Sequence, residues 1–114
     1  MSTVIYHNPR CRKSRETLAL LEENKQDIEI VHYLDNPPSS QQLEALIELL
    51  GISPIDLVRE GEAVWKEQFK GREMSDAEII GALAKFPRLI ERPIVVKGQK
   101  ARLGRPPENV LDIL

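Results

Sequence analysis

The sequence predicts an α/β fold in which a mixed sheet is interrupted by an inserted helical block. Three observations carry that reading. The chain opens with the strand-like run Thr3-Val4-Ile5-Tyr6, a helical pattern over residues 11–23, and a second β-rich run from Ile28 to Leu34. The stretch from about 39 to 86 carries apolar residues at helical spacing behind two capping pairs, Ser39 with Gln42 and Ser75 with Glu78. Ile94-Val95-Val96, a Gly98 turn and Lys100-Ala101-Arg102-Leu103 then restore β character as a hairpin. With 114 residues the chain can bury one core, so the reading is a single domain over residues 1–114 with the helical insertion at about 39–86.

Each element has a local cause. In the first helix Leu18 and Leu21 point inward and Asn24 is a plausible stop. A strand–helix–strand start implies two parallel strands joined by a right-handed crossover. Asn36-Pro37-Pro38 breaks the chain before the insertion. Leu43, Leu46, Ile47 and Leu50 share one face of the next helix, which Gly51 ends, and Ser53-Pro54 starts another with an N-cap and a proline at its first position. Trp65 and Phe69, four residues apart, read as core, as do Ile79, Ile80 and Leu83 behind the second capping pair. Pro106-Pro107 opens a final helix carrying Val110, Leu111 and Leu114.

Hydrophobic residues at 41% and charged residues at 30% are ordinary for a soluble globular protein. No apolar run approaches membrane-spanning length, and Met1-Ser2-Thr3 leads straight into a strand, so the expectation is no membrane association and a cytoplasmic location. The net charge of −2 hides a segregation. Arg10, Arg12, Lys13 and Arg15 cluster without an acid, and Lys85, Arg88, Arg92, Lys97, Lys100, Arg102 and Arg105 form a second basic stretch broken by Glu91 alone, while acids dominate between them. Two basic segments on an acidic chain favour a small anion over a nucleic acid as partner, although scattered charge is more often only a solvated face.

Cys11 is the only thiol, which excludes an internal disulfide and a zinc framework. It stands where a strand and a Pro-bearing turn deliver the chain into a helix. Unpaired backbone N–H groups, the positive end of the helix dipole and four nearby cations all favour the thiolate there. Cysteines in such settings titrate at about 3.5–7.5 rather than about 8.5. The same groups would hold an oxyanion beside the sulfur. The competing reading, a buried inert cysteine, fits a polar and cationic segment poorly.

The order βαβ, insertion, ββα with a cysteine after the first strand is the layout of a thioredoxin-like domain, in which the proline before the third strand is typically cis; Arg92-Pro93 stands at that place. Four separated motifs then narrow the likeness: His7-Asn8-Pro9-x-Cys11-x-x-Ser14-Arg15, Tyr33-Leu34-x-Asn36-Pro37-Pro38, Arg92-Pro93-Ile94-Val95-Val96 and Arg105-Pro106-x-Glu108-x-Val110-Leu111. Together they resemble the ArsC-type, glutaredoxin-dependent arsenate reductase family, from about residue 4 to the end. The resemblance implies a thioredoxin-like sheet with a helical insertion, Cys11 as the nucleophile toward arsenate, and Arg59, Arg92 and Arg105 as the oxyanion-binding arginines. It further implies that His7 tunes the thiolate and that Ser14, Arg15 and Pro93 support the site. Ser14 either caps the helix or donates to the sulfur, and the sequence leaves both open. His32 has no motif around it and reads as structural.

With one thiol in the chain, reduction of an arsenic oxyanion needs two further thiols from outside, so the resemblance implies glutathione as co-substrate, glutaredoxin as partner and no bound cofactor or metal. Arg12-Lys13 departs from the smaller neutral residues of the best-known arsenate reductases. Two readings from other classes share the fold. A general glutathione-linked thiol reductase would use the same thiolate, whereas an Spx-type RNA polymerase-binding regulator usually carries Cys-x-x-Cys, and Ser14 stands at its second position.

Overall fold

The computed structural model describes residues 2–114. Two compact units emerge, one of Met1–Asn36 with Arg92–Leu114 and the other of Pro37–Glu91.

The first unit holds the sheet. Strands β1 (Thr3–Tyr6), β2 (Ile28–Val31), β3 (Ile94–Lys97) and β4 (Lys100–Leu103) lie in the order β2-β1-β3-β4. β1 and β2 are parallel, as the intervening helix α1 (Arg12–Glu23) requires, while β1–β3 and β3–β4 are antiparallel. This is the mixed, thioredoxin-like sheet expected, and the Arg92–Pro93 bond is cis, as is Arg105–Pro106. Ile5, Leu21, Val95, Val110 and Ile113 form the buried core, with Leu18, Ile28 and Leu114 packed against it. α1 ends at Asn24, whose backbone N–H and side-chain Nδ2 both donate to the Leu20 carbonyl.

Two expectations in this unit need correction. The second strand stops at Val31, not Leu34, because the chain turns at once: the N–H groups of Asp35 and Asn36 both donate to the His32 carbonyl, and Tyr33 is carried inward and fully buried. The last segment, Pro107–Ile113, is a 3₁₀ helix. At three residues per turn it aligns Val110 with Ile113 on the buried side and leaves Leu111 44% exposed, so Ile113 takes the inward place expected for Leu111.

The second unit is helical. α2 (Ser40–Leu50) starts in a reciprocal capping box, with the Gln42 N–H donating to Ser39 Oγ at 3.1 Å and the Ser39 N–H to Gln42 Oε1 at 2.9 Å. It ends at Gly51, whose φ of 68° is left-handed and suits a residue without Cβ. Ser53-Pro54 opens a single 3₁₀ turn, Pro54–Leu57, rather than a helix. Asp56 accepts the Ser53 N–H, and Val58 is already extended and bridges Ile90, so the turn cannot propagate. α3 (Ala63–Gln68) presents a buried Trp65, which stacks on Phe69 at 5.4 Å, and Phe69 meets Phe86 edge-on at 5.9 Å. α4 (Asp76–Lys85) repeats the capping box at Ser75 and Glu78 and packs on α2. Ile79 and Leu83 are buried as expected, and Ile80 is half-buried.

The close approach of α1 to the end of the hairpin occurs at Gly104. Its N–H donates to the Pro93 carbonyl at 2.9 Å. A Cβ there would lie 2.5 Å from Thr17 Oγ1 and 2.7 Å from Pro93 Cγ. Thr17 cannot swing aside freely, since its hydroxyl donates to the Lys13 carbonyl at 2.8 Å. Gly104→Ala should therefore destabilise the protein by about 1–3 kcal/mol, the usual cost of forcing an extra carbon into a packed site. Urea unfolding measures this directly, and an unchanged midpoint would mean that α1 and the hairpin have slack between them.

Candidate active site

Cys11, His7, Ser14, Arg92 and Arg105 come together at one end of the sheet. β1 delivers the chain to His7, whose N–H still donates to the Val31 carbonyl of β2 at 2.9 Å. Because β3 runs antiparallel to β1, with Ile94 opposite Tyr6, the Arg92-Pro93 segment arrives beside the same end. Because Ile94 is opposite Leu103 in the β3–β4 pair, continuing that register sets Arg92 across from Arg105.

Asn8 builds the turn. Its side-chain Oδ1 accepts the Arg10 N–H at 3.0 Å and its carbonyl accepts the Cys11 N–H at 3.0 Å, while its own N–H donates to Ser14 Oγ at 3.0 Å. The first two bonds are the local closure typical of an Asn-Pro turn, and the third locks that turn onto α1. Arg15 braces it from outside by donating from Nη1 to the Pro9 carbonyl at 3.0 Å.

Cys11 is the N-cap residue of α1, extended in conformation, with its carbonyl accepting the Arg15 N–H at 3.0 Å. Its side chain takes no capping hydrogen bond, and the first turn of α1 contains no acid. Cys11 thus stands at the positive end of a twelve-residue helix, whose first-turn N–H groups lack helical partners. It is partly exposed. Arg105 Nη2 lies 3.6 Å from Cys11 Sγ, and Arg105 Nε donates to the Arg92 carbonyl at 2.7 Å. The Arg92 carbonyl thereby orients the Arg105 fork toward the sulfur. Arg92 enters this contact through its backbone, a role that sequence reasoning about its charge did not anticipate.

Ser14 neither caps α1 nor bonds the sulfur. It is fully buried, and its Oγ lies 2.6 Å from His7 Nδ1 while accepting the Asn8 N–H. Burial above all, and then electrostatic repulsion from the neighbouring His32 and Arg15, pushes the His7 pKa below its ordinary value. A neutral His7 shares one hydrogen bond with Ser14 through Nδ1, its donor set by the imidazole tautomer. His7 is only 5% exposed, with the His32 ring 6.2 Å away.

Arg59 belongs to the helical unit. Its N–H donates to the Leu89 carbonyl, and its guanidinium pairs with Glu62 at 3.6 Å and Glu91 at 3.7 Å. Arg12 is tied to Glu16 at the surface, where such pairs contribute little. Among the residues that sequence reasoning left without a role, Asn8 was signalled by its Asn-Pro turn. Gly104 and Thr17 carried no such signal, because their importance is a contact between distant segments. Among the described residues no cluster of metal-ligating side chains occurs, and no helix is long and apolar enough to cross a membrane.

The neutral His7 makes stability depend on pH in a definite direction. Its folded pKa lies below its unfolded value of about 6.5, so the unfolded chain binds more protons as pH falls through that region and stability declines there. Chemical unfolding between pH 5 and 8 should show this slope, and His7→Gln should flatten it. A slope that persists in His7→Gln would assign the effect to another group.

Known proteins resemble the chain over nearly its full length. The ArsC family pattern covers residues 6–113. The chain is 48% identical over 112 residues to the uncharacterised protein YfgD of Escherichia coli K12, covering 96% of this chain and 94% of that one. It is 44% identical over 116 residues to the arsenate reductase of Haemophilus influenzae, covering both chains completely. The solved structure of an arsenate reductase from Vibrio cholerae superposes with a TM-score of 0.95 at 48% identity, over 100% of this chain and 98% of that one. With its four-stranded mixed sheet, the cysteine at the head of α1 and a family match spanning nearly its full length, the chain belongs to the ArsC family.

Proposed function

We propose that this protein is an oxidoreductase that reduces arsenate, with Cys11 as nucleophile and with glutathione and glutaredoxin as the external thiols. The observation that carries the reading is the Arg105 guanidinium 3.6 Å from the sulfur at the N-terminus of α1. Two sources of positive potential thus converge where a thiolate and an attacking oxyanion would both need them. The relatives named arsenate reductases support the substrate.

The chemistry balances with one protein thiol. The Cys11 thiolate attacks arsenic, an S–As bond forms, and an arsenate oxygen leaves as water after taking up protons. Arsenic is still As(V). A glutathione thiolate then attacks Sγ; an S–S bond forms, the S–As bond breaks, and its electron pair stays on arsenic, which leaves as arsenite. Glutaredoxin attacks the glutathione sulfur of the mixed disulfide and returns the Cys11 thiolate. Two electrons reach arsenic and two external thiols are oxidised, as a chain with a single cysteine requires. In this scheme Arg105 and Arg92 neutralise the oxyanion, and His7 with Ser14 positions the first turn of α1. A reducing, glutathione-rich compartment such as the cytoplasm suits the cycle.

The test is a coupled assay of arsenate reduction with glutathione and glutaredoxin. Cys11→Ser should abolish turnover, and omission of either thiol component should stop it. Arg105→Ala should lower turnover by roughly 10–1000-fold, the range for losing one oxyanion-stabilising donor, and Arg105→Lys should recover little because a point charge cannot reproduce the fork. Arg92→Ala keeps the carbonyl that orients Arg105, so any loss there reports the Arg92 guanidinium itself. Turnover by Cys11→Ser would sink the mechanism. Inert behaviour toward arsenate beside brisk reduction of a glutathione mixed disulfide would replace the substrate and keep the thiolate.

A further inference from the structure

Beside the turn that carries Cys11 lies a cleft of about 330 Å³, and the scheme above makes no use of it. Its walls include His7, Pro9, Arg10, His32, Leu34 and Asp35. Arg10 directly precedes the nucleophile, and the backbone of Asn8 accepts the Cys11 N–H, so this wall and the sulfur belong to one turn. The volume is at the lower end of small-molecule sites, roughly 300–1,000 Å³, too small for a folded partner and adequate for a short peptide.

The lining has a distinctive arrangement of chemistry. Leu34 is 41% exposed, one of few large apolar side chains left in the open, and with Pro9 it supplies an apolar strip. Arg10 offers a cation and Asp35 a carboxylate, and neither takes part in an ion pair among the described residues. His7 is buried and His32 exposed, so the cleft has an inner and an outer imidazole. A cleft that carries a cation, a carboxylate and apolar side chains on its walls complements a molecule with a carboxylate and an ammonium separated by a short stem.

We propose that this cleft is the binding site of the first external thiol, a small zwitterionic peptide thiol of the glutathione kind, with Arg10 receiving a carboxylate, Asp35 the ammonium, and Pro9 and Leu34 covering the stem. The assignment rests on the reading of Cys11 as a nucleophile served by external thiols, and it is independent of arsenate. It gives Arg10 and the turn after β2 a function in selecting the reductant, separate from the oxyanion contacts of Arg105.

Mixed-disulfide formation tests the cleft without arsenate. Reduced wild type, Arg10→Ala and Asp35→Ala are treated separately with glutathione disulfide and with hydroxyethyl disulfide. The Cys11 thiolate attacks one sulfur of either reagent, a new S–S bond forms at Cys11, and the other half leaves as a thiolate. Mass spectrometry follows the adduct. The readout is the ratio of the two rates, since the second reagent offers the same S–S bond without the charges. The ratio should favour glutathione disulfide in wild type and fall about tenfold in each variant, as expected for loss of one charge-assisted contact. An unchanged ratio in both variants overturns the proposal, as does an equal slowing with both reagents, which would mean damage to the turn alone. A wild-type Cys11 inert to both reagents would remove the nucleophile and the reading beneath this one. Failure with arsenate alone would leave the cleft assignment standing.

Discussion

One buried hydroxyl ties the turn that carries Cys11 to both the strand before it and the helix after it. Ser14 Oγ accepts the backbone N–H of Asn8 and lies 2.6 Å from His7 Nδ1, so strand, turn and helix meet on one oxygen. Neither the Asn8 amide nor the His7 ring has ready access to water, and a buried polar group without a partner costs about 1–3 kcal/mol. The Asn8 amide and the Ser14 hydroxyl are satisfied together in the arrangement that sets Cys11 at the N-cap of α1. The position of the sulfur is therefore a consequence of burying three polar groups correctly, and no capping bond from the cysteine is involved.

A second constraint comes from the hairpin. Antiparallel register places Arg92 across from Arg105, and the Arg92 carbonyl then takes Arg105 Nε at 2.7 Å. A guanidinium on a flexible stem loses substantial rotamer freedom when it is held in one place. Tying Nε to a backbone acceptor fixes the plane of the fork and leaves Nη2 directed at the sulfur. Gly104, immediately before Arg105, allows the hairpin end to come against Thr17 of α1, so the helix carrying the thiol and the strand carrying its cation are packed to each other.

The charge segregation of the chain acquires a meaning from this geometry. Basic residues from both ends of the sequence supply the sheet-bearing unit, in which Arg105 reaches Cys11. Arg15 serves that unit in two ways, bracing the Pro9 carbonyl and, after burial and His32, helping to lower the His7 pKa. The middle of the chain contributes a separate helical unit, where Arg59 sits among Glu62 and Glu91. Positive potential around one side chain of an acidic protein thus needs no general excess of basic residues, only a local one.

Much of this was determined by the sequence by itself, wherever the cause is local. β-Branched runs define β1 and the hairpin, capping pairs start α2 and α4, Gly51 ends α2, and a lone cysteine between a Pro turn and a helix marks the candidate site, because each depends on residues a few positions apart. What local pattern could not decide is where elements stop when a tertiary demand competes. β2 ends three residues early because Tyr33 is drawn into the interior, and the last helix tightens to 3₁₀ so that Val110 and Ile113 face the core. The partners of Ser14, the backbone role of Arg92 and the tight fit at Gly104 belong to the tertiary structure alone. Each is a contact between segments whose adjacency the sheet register creates, and no periodicity or spacing within one segment encodes it.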